Sequence, residues 1–264
     1  MKLLHILGLT LVGTLLLGHP LRASNQMSAA ESQRARLAAL VATHPEAAKL
    51  FSKYQRQADA ALTDAPHPVR EIVTAGKLAS DPAKIESRAA LEDMGKLAAF
   101  GYAYAVTTNT AYATAAKRMI LAWAQVNQPT GRPIDETKLE PLFVAYGLTA
   151  DAFSPAETET VAAWLRLVAR QEQAQVRPES DTSFNNWNSH RLKIIGLIGC
   201  VLDDSNLVAS ATSGFKTQIT RNLRPDGSSF DFHERDALHY HCYDLEPLLT
   251  LAIALDSRTP GLYD

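Results

Sequence analysis

Two short stretches of this chain concentrate the residue types that do chemistry. The first reads Asn185-Asn186-Trp187-Asn188-Ser189-His190-Arg191. The second, from Asp226 to His241, contains His233, Arg235, His239, Tyr240 and His241. Amide, imidazole, guanidinium and phenol together can neutralise a carboxylate and move a proton beside it. That is the combination that β-elimination on an acidic sugar requires. Each stretch runs into an apolar segment, so the reactive side chains would be carried near helix starts.

Helical spacing sorts these residues into faces. Asn186 and His190 are i,i+4 and share one face, with Lys193 about two turns from Asn186; Trp187 and Arg191 lie on the adjacent stripe. Free N–H groups at a helix start favour a bound carboxylate, and the aromatic face of Trp187 can stack on a sugar ring. The competing reading makes Asn185 or Asn186 a helix cap and His190 a satisfied, half-buried side chain. Arg235 and His239 are i,i+4 if the next helix has begun, whereas His239 and His241 would then point to nearly opposite sides. Divergent imidazoles cannot converge on zinc, so no metal site is expected. Tyr240 can protonate a leaving oxygen, or it can be a core residue with its hydroxyl satisfied. Carboxylate pairs such as Asp231 with Glu234 and Glu234 with Asp236 leave room for glycoside hydrolysis.

The elements that must position these groups read as helix after helix. Ala29 to Thr43 has helical apolar spacing, and Pro45 suits the first turn of a second helix reaching about Leu62. Thr63 to Pro82 is a Pro- and Gly-punctuated loop, long enough to be a lid that closes over substrate with Arg70 and Lys77. Single helices are expected over Ile85 to Val106 and Ala111 to Gln125, then one opening at Asp135-Glu136-Thr137 and carrying Leu139 to Leu148. Ser154-Pro155 has the cap and first-turn proline of another, to about Glu172. After the polar loop Gln175 to Ser183, helices follow from the Asn-Trp-His segment to Val201, over Asp203 to Arg221, and over Tyr240 to Leu255. The class is all-α, an array of antiparallel helix pairs.

Lys2, the apolar run Leu3 to Leu17 and the small residues around Ala23-Ser24 form a signal peptide over residues 1–23, too short to span a membrane comfortably. A single domain over 24–264 remains, with no stable membrane insertion after cleavage and a periplasmic or secreted location. Without Lys2 and Arg22, 24 basic residues face 28 acidic ones, a net charge of −4. That balance argues against nucleic acid as a partner. Cys200 and Cys242 could pair in an oxidising compartment or remain two buried thiols.

Both chemistry-bearing stretches, with the segment from Ile85 to Asp151, resemble the alginate lyase family of polysaccharide lyases. The resemblance is carried by Asp81-Pro82-Ala83-Lys84-Ile85, Ala99-Phe100-Gly101-Tyr102-Ala103-Tyr104, Leu121-Ala122-Trp123-Ala124 and Pro129 through Thr137. It is sharpest over Arg235-Asp236-Ala237-Leu238-His239-Tyr240-His241 and Asp244 to Leu249. It implies an α/α toroid, an incomplete barrel because the family usually continues beyond the tyrosine helix. By that likeness Tyr240 falls on the catalytic tyrosine and Asn186 on the asparagine that neutralises the sugar carboxylate. Trp187 stands where the family has a histidine, and His190, one turn on, could substitute. The expected catalytic set is therefore Asn186, His190, Arg235 and Tyr240, with Trp187, Arg191, His239, Arg70 and Lys77 binding an acidic polysaccharide. No cofactor is expected, and the chain would act as a monomer. A non-catalytic polysaccharide-binding protein and an α/α-toroid glycoside hydrolase are the alternatives.

Overall fold

The computed structural model describes residues 29–235, 238–256 and 258–262. The signal-peptide reading lies outside these residues. Helices α1 (Ala29–Thr43), α2 (Pro45–Ala61), α3 (Pro82–Ala90), α4 (Glu92–Thr107), α5 (Thr110–Val126), α6 (Pro133–Glu136), α7 (Glu140–Leu148) and α8 (Pro155–Ala174) come first. They are followed by α9 (Asn186–Leu202), α10 (Ser205–Asn222), α11 (Phe230–Arg235) and α12 (Leu238–Asp256). Among the described residues the sole β feature is an isolated antiparallel bridge between Leu223 and Ser229.

Side chains that satisfy orphan backbone N–H groups explain several helix starts. Asp81 accepts from Ala83 and Lys84 ahead of α3, Asn109 from Ala111 ahead of α5, and Asp204 from Asn206 and Leu207 ahead of α10. Ser154 and Glu157 exchange reciprocal bonds at the start of α8, a capping box.

Two long helices expected from apolar spacing are each broken. The Ile85 to Val106 pattern splits at Leu91, whose ψ of −7° closes α3. The apolar spacing runs on through Ala90, Leu91 and Met94, which hides the break. The new start places Glu92 and Asp93 in the first turn of α4, where negative charge suits the helix dipole. The second pattern breaks at Thr137–Leu139, a 3₁₀ turn between α6 and α7. Pro141 lies in the first turn of α7, the position that tolerates its missing N–H, and so sets a new helix start.

The chain divides into two compact units: residues up to Gln128 with Lys138–Leu165, and Pro129–Thr137 with residues from Arg166 onward. In the first, α4 packs against α1, α2, α5 and α7, burying Leu97, Phe100, Met119, Ile120, Trp123, Leu142 and Phe143. The expected lid, Thr63 to Pro82, is stitched to this unit. His67 N–H and Trp123 Nε1–H both donate to buried Asp93, Val73 N–H donates to Ser87 Oγ, and Gln128 N–H donates to the Arg70 carbonyl. A flap hinged over its whole length does not fit those anchors; 76–80 is the longest exposed run.

The second unit carries the chemistry-bearing stretches. Helix α9 packs on α10 and α12 around Leu192, Ile195, Phe215, Leu248, Leu251 and Leu255. Gly196 permits this approach, since a Cβ there would lie 2.2 Å from Leu251 Cδ1 and 3.2 Å from Ala211 Cβ.

Candidate active site

Helix α9 begins with Asn185 as its cap: Asn185 Oδ1 accepts the Trp187 N–H at 2.9 Å. The next donor is also taken, because Asn186 N–H donates to Asp231 Oδ2 at 2.7 Å. The expectation that free N–H groups here hold a substrate carboxylate is thereby corrected; two protein groups occupy that position. What remains of Asn186 is its side-chain amide. The residue is buried, and its Oδ1 accepts no hydrogen bond from the described residues.

Asp231 sits in α11 and is 1% exposed. Its other oxygen lies 3.1 Å from Arg235 Nε, one turn along the same helix. The contact is a close ion pair without the alignment of a full hydrogen bond. Burial pushes the Asp231 carboxyl above the usual carboxylate range, opposed by the Asn186 N–H and Arg235. Arg235 in turn places its guanidinium carbon 4.4 Å from the centre of the Tyr240 ring. Asn186, Asp231, Arg235 and Tyr240 thus form one continuous chain of contacts. The i,i+4 relation expected between Arg235 and His239 runs through positions 236 and 237, outside the described residues.

A row of rings continues from Tyr240. Exposed His239 meets Tyr240 edge-on at 5.3 Å and lies parallel to Tyr243 at 6.1 Å, and Tyr243 packs on His190 at 4.4 Å. Burial pushes the Tyr243 hydroxyl up to about 12, helped by Glu246 and Asp135. His190 is 2% exposed, and its Nδ1 lies 3.0 Å from Thr137 Oγ1. An imidazole so enclosed supports its neighbours rather than meeting a polymer directly.

Arg191 departs furthest from expectation. It is 3% exposed, with Nε 3.3 Å from Glu172 Oε2 and Nη1 donating to the Thr182 carbonyl. It cannot stack on or grip a sugar, because its guanidinium is spent inside the unit. Sequence spacing put it beside Trp187 but could not show that α8 delivers a carboxylate to meet it. Glu172 also faces Glu136, which accepts from Thr130 N–H, Thr130 Oγ1 and Gly131 N–H. One guanidinium cannot neutralise two buried carboxylates. Burial, then repulsion from Glu136, therefore pushes Glu172 up to about 9, so it keeps its proton at neutral pH. The turn beside this cluster needs glycine: Gly131 has φ +71°, and a Cβ there would lie 2.4 Å from the Gln171 carbonyl oxygen.

Sequence reasoning also missed a buried polar network beneath the site. Asp244 accepts from Ser189 Oγ at 2.6 Å and from Asn222 Nδ2. Gln218 donates to the Phe184 and Asn185 carbonyls and to Ser189 Oγ. Burial pushes Asp244 up to about 6. The residue types were visible, but their separation in the chain hid the partnership.

The other expected residues are more dispersed. Trp187 is half-buried at the start of α9. Arg70 and Lys77 belong to the first unit, Arg70 exposed and Lys77 3.5 Å from Asp81. Cys200 and Cys242 are both free, and Cys242 is exposed rather than buried. Among the described residues no group of three His, Cys, Asp or Glu could hold a metal ion. No described helix is long and apolar enough to cross a membrane.

The sequence matches the alginate lyase family over residues 36–264, which takes in the whole of this contact chain. The chain belongs to the alginate lyase family. Its fold is that of the α/α-toroid class, as in alginate lyase A1-III from Sphingomonas species A1. The TM-score to that structure is 0.61 at 23% identity, covering 81% of this chain and 71% of the other. A variant of A1-III complexed with a tetrasaccharide gives a TM-score of 0.60 at 23% identity, covering 79% and 68%. An exo-oligoalginate lyase of Saccharophagus degradans is 22% identical over 184 residues, 61% of this chain. The chain spans 24% of that relative's length.

Proposed function

We propose that this protein is an exported lyase that cleaves a 1,4-linked polyuronate, alginate or a related glucuronan, by β-elimination. The observation that carries the reading is the chain of contacts from Asn186 through Asp231 and Arg235 to Tyr240. It joins a side-chain amide, a half-exposed guanidinium and a phenol within one compact unit. The Asn186 amide and Arg235 would hold the sugar C6 carboxylate and stabilise the charge that develops there as the C5–H bond breaks. Acting as the phenolate, Tyr240 would take the C5 proton and then, as the phenol, deliver it to the glycosidic oxygen as the C4–O bond breaks, leaving a C4=C5 double bond. No step draws on a metal or organic cofactor. His190, held by Thr137 and Tyr243, would position the ring row rather than transfer the proton. Trp187 and His239 would contact neighbouring sugars.

The test is turnover of a polyuronate panel read by the ultraviolet absorbance of the unsaturated product, with Tyr240→Phe beside wild type. A general acid–base group typically contributes about 100- to 10,000-fold, so the variant should lose activity on that order while keeping its melting temperature. Near-normal turnover by Tyr240→Phe would make Tyr240 a packing residue. Saturable binding without absorbance change would favour a non-catalytic binding protein, and saturated products a hydrolase. Export rests on the sequence alone: removal of 1–23 to leave a single functional domain over 24–264, in periplasm or medium. N-terminal sequencing of the recovered protein should begin within a few residues of Ser24; intact Met1 found only in cytosol would overturn it.

A further inference from the structure

To hold a carboxylate, Arg235 must itself be held in place. Its helix, α11, has six residues, too few to persist alone, since helix nucleation costs more than one turn returns. Its place depends on anchors to the rest of the unit. At its start, Phe230 N–H donates to Asn222 Oδ1, and the Phe230 ring meets Phe184 edge-on at 4.9 Å. In the same first turn Asp231 makes a second connection, with one oxygen on the α9 N-terminus and the other close to Arg235 Nε.

We propose that Asp231 is the positioning residue of this site, locking Arg235 to the start of α9 so that its guanidinium lies over Tyr240 and its outer edge faces substrate. The inference rests on the lyase reading above. Three observations support it. Asp231 is 1% exposed, so it acts through other groups and not on a sugar. Its closest contact with Arg235 is at Nε, no hydrogen bond from the terminal amino groups is seen to the described residues, and the side chain is 41% exposed. That leaves the two-pronged face of the guanidinium, which matches a carboxylate in a bidentate pair. Finally, the same carboxylate fixes Asn186 through its backbone, so one buried group sets the relative placement of both residues assigned to the C6 carboxylate.

Removing the charge while keeping the shape separates these roles. Asp231→Asn retains an oxygen for the Asn186 N–H but loses the ion pair with Arg235. On a polyuronate it should lower kcat by about 10- to 100-fold with KM changed less than about threefold, the pattern of an interaction realised in the transition state. In an Arg235→Gln background the same change should cost less than about twofold, because Asp231 has lost the residue it positions. Full kcat in Asp231→Asn, or an equal loss in both backgrounds, would overturn the proposal. A readout independent of turnover is the ¹⁵N NMR signal of Arg235 Nε–H, whose exchange with water should be slow in wild type and fast in Asp231→Asn. If wild type cleaves no polyuronate, the lyase reading fails while this signal still decides whether Asp231 holds Arg235. Wild-type exchange as fast as that of unpaired surface arginines would refute the positioning role with no variant needed.

Discussion

Replacing Glu172 with glutamine should remove the loss of stability that this buried carboxyl imposes as pH rises from about 5 to 8. Glu172 is fully buried, faces Glu136 and Arg191, and has its carboxyl pushed up to about 9. In the unfolded chain it titrates near 4.3. The folded state therefore binds one more proton than the unfolded state between those values. Its contribution to stability is fully present below about 4.3 and is lost as pH rises toward about 9. One proton gives a slope of up to about 1.4 kcal/mol per pH unit. From pH 5 to 8 the ceiling is about 4 kcal/mol, and structural relaxation brings the expected value to about 3. Glutamine keeps the volume and can still donate a hydrogen bond to Glu136, but it does not titrate. Glu172→Gln should match wild type at pH 5 and melt roughly 6–12 °C higher at pH 8, given the response of a domain this size. Asp244, pushed up to about 6, tilts both curves alike and cancels in the difference. The assay is thermal unfolding across pH 5–9 for both proteins. A melting difference constant to within about 1 °C across that range would refute the shared-proton argument.

Gly131→Ala should destabilise by roughly 2–4 kcal/mol, combining a side chain forced to positive φ with a clash against the Gln171 carbonyl. Chemical denaturation measures it, and a loss under 1 kcal/mol would mean the turn shifts freely. His190→Ala should cost about 2–4 kcal/mol by opening a cavity beside Tyr243, with kcat on polyuronate down by less than about tenfold. A thousandfold loss of kcat at unchanged stability would instead put His190 in contact with substrate.

The sequence disclosed what is local. Asn185 as a cap, the Ser154–Glu157 box and Pro45 at a first turn all depend on neighbours within four positions. The clustering of Asn186, Arg235 and Tyr240 followed from residue type and from family likeness, with spacing adding only their faces. What stayed hidden needed a partner from elsewhere in the chain. Arg191 looked like a surface cation until α8 supplied Glu172, and Asp231 looked like one acidic residue among many until α9 supplied its N–H. The break at Leu91 escaped because apolar periodicity passes through it unchanged.

The network around Asp244 has a consequence for how the chain comes into being. Its donor Ser189 precedes Asp244 by 55 positions and Asn222 precedes it by 22. A nascent chain growing from its N-terminus therefore displays the donors well before their acceptor exists. Until α12 arrives, Gln218 and Asn222 can donate to Ser189 Oγ but the Ser189 hydroxyl lacks its Asp244 acceptor, and burying that unmet donor costs about 1–3 kcal/mol, which discourages early collapse of α9 onto α10. Such distant pairings slow folding, because loop closure is spent before contacts repay it. Assembly of this unit is then gated by α12, so Arg235 and Tyr240 come together only as the whole unit closes.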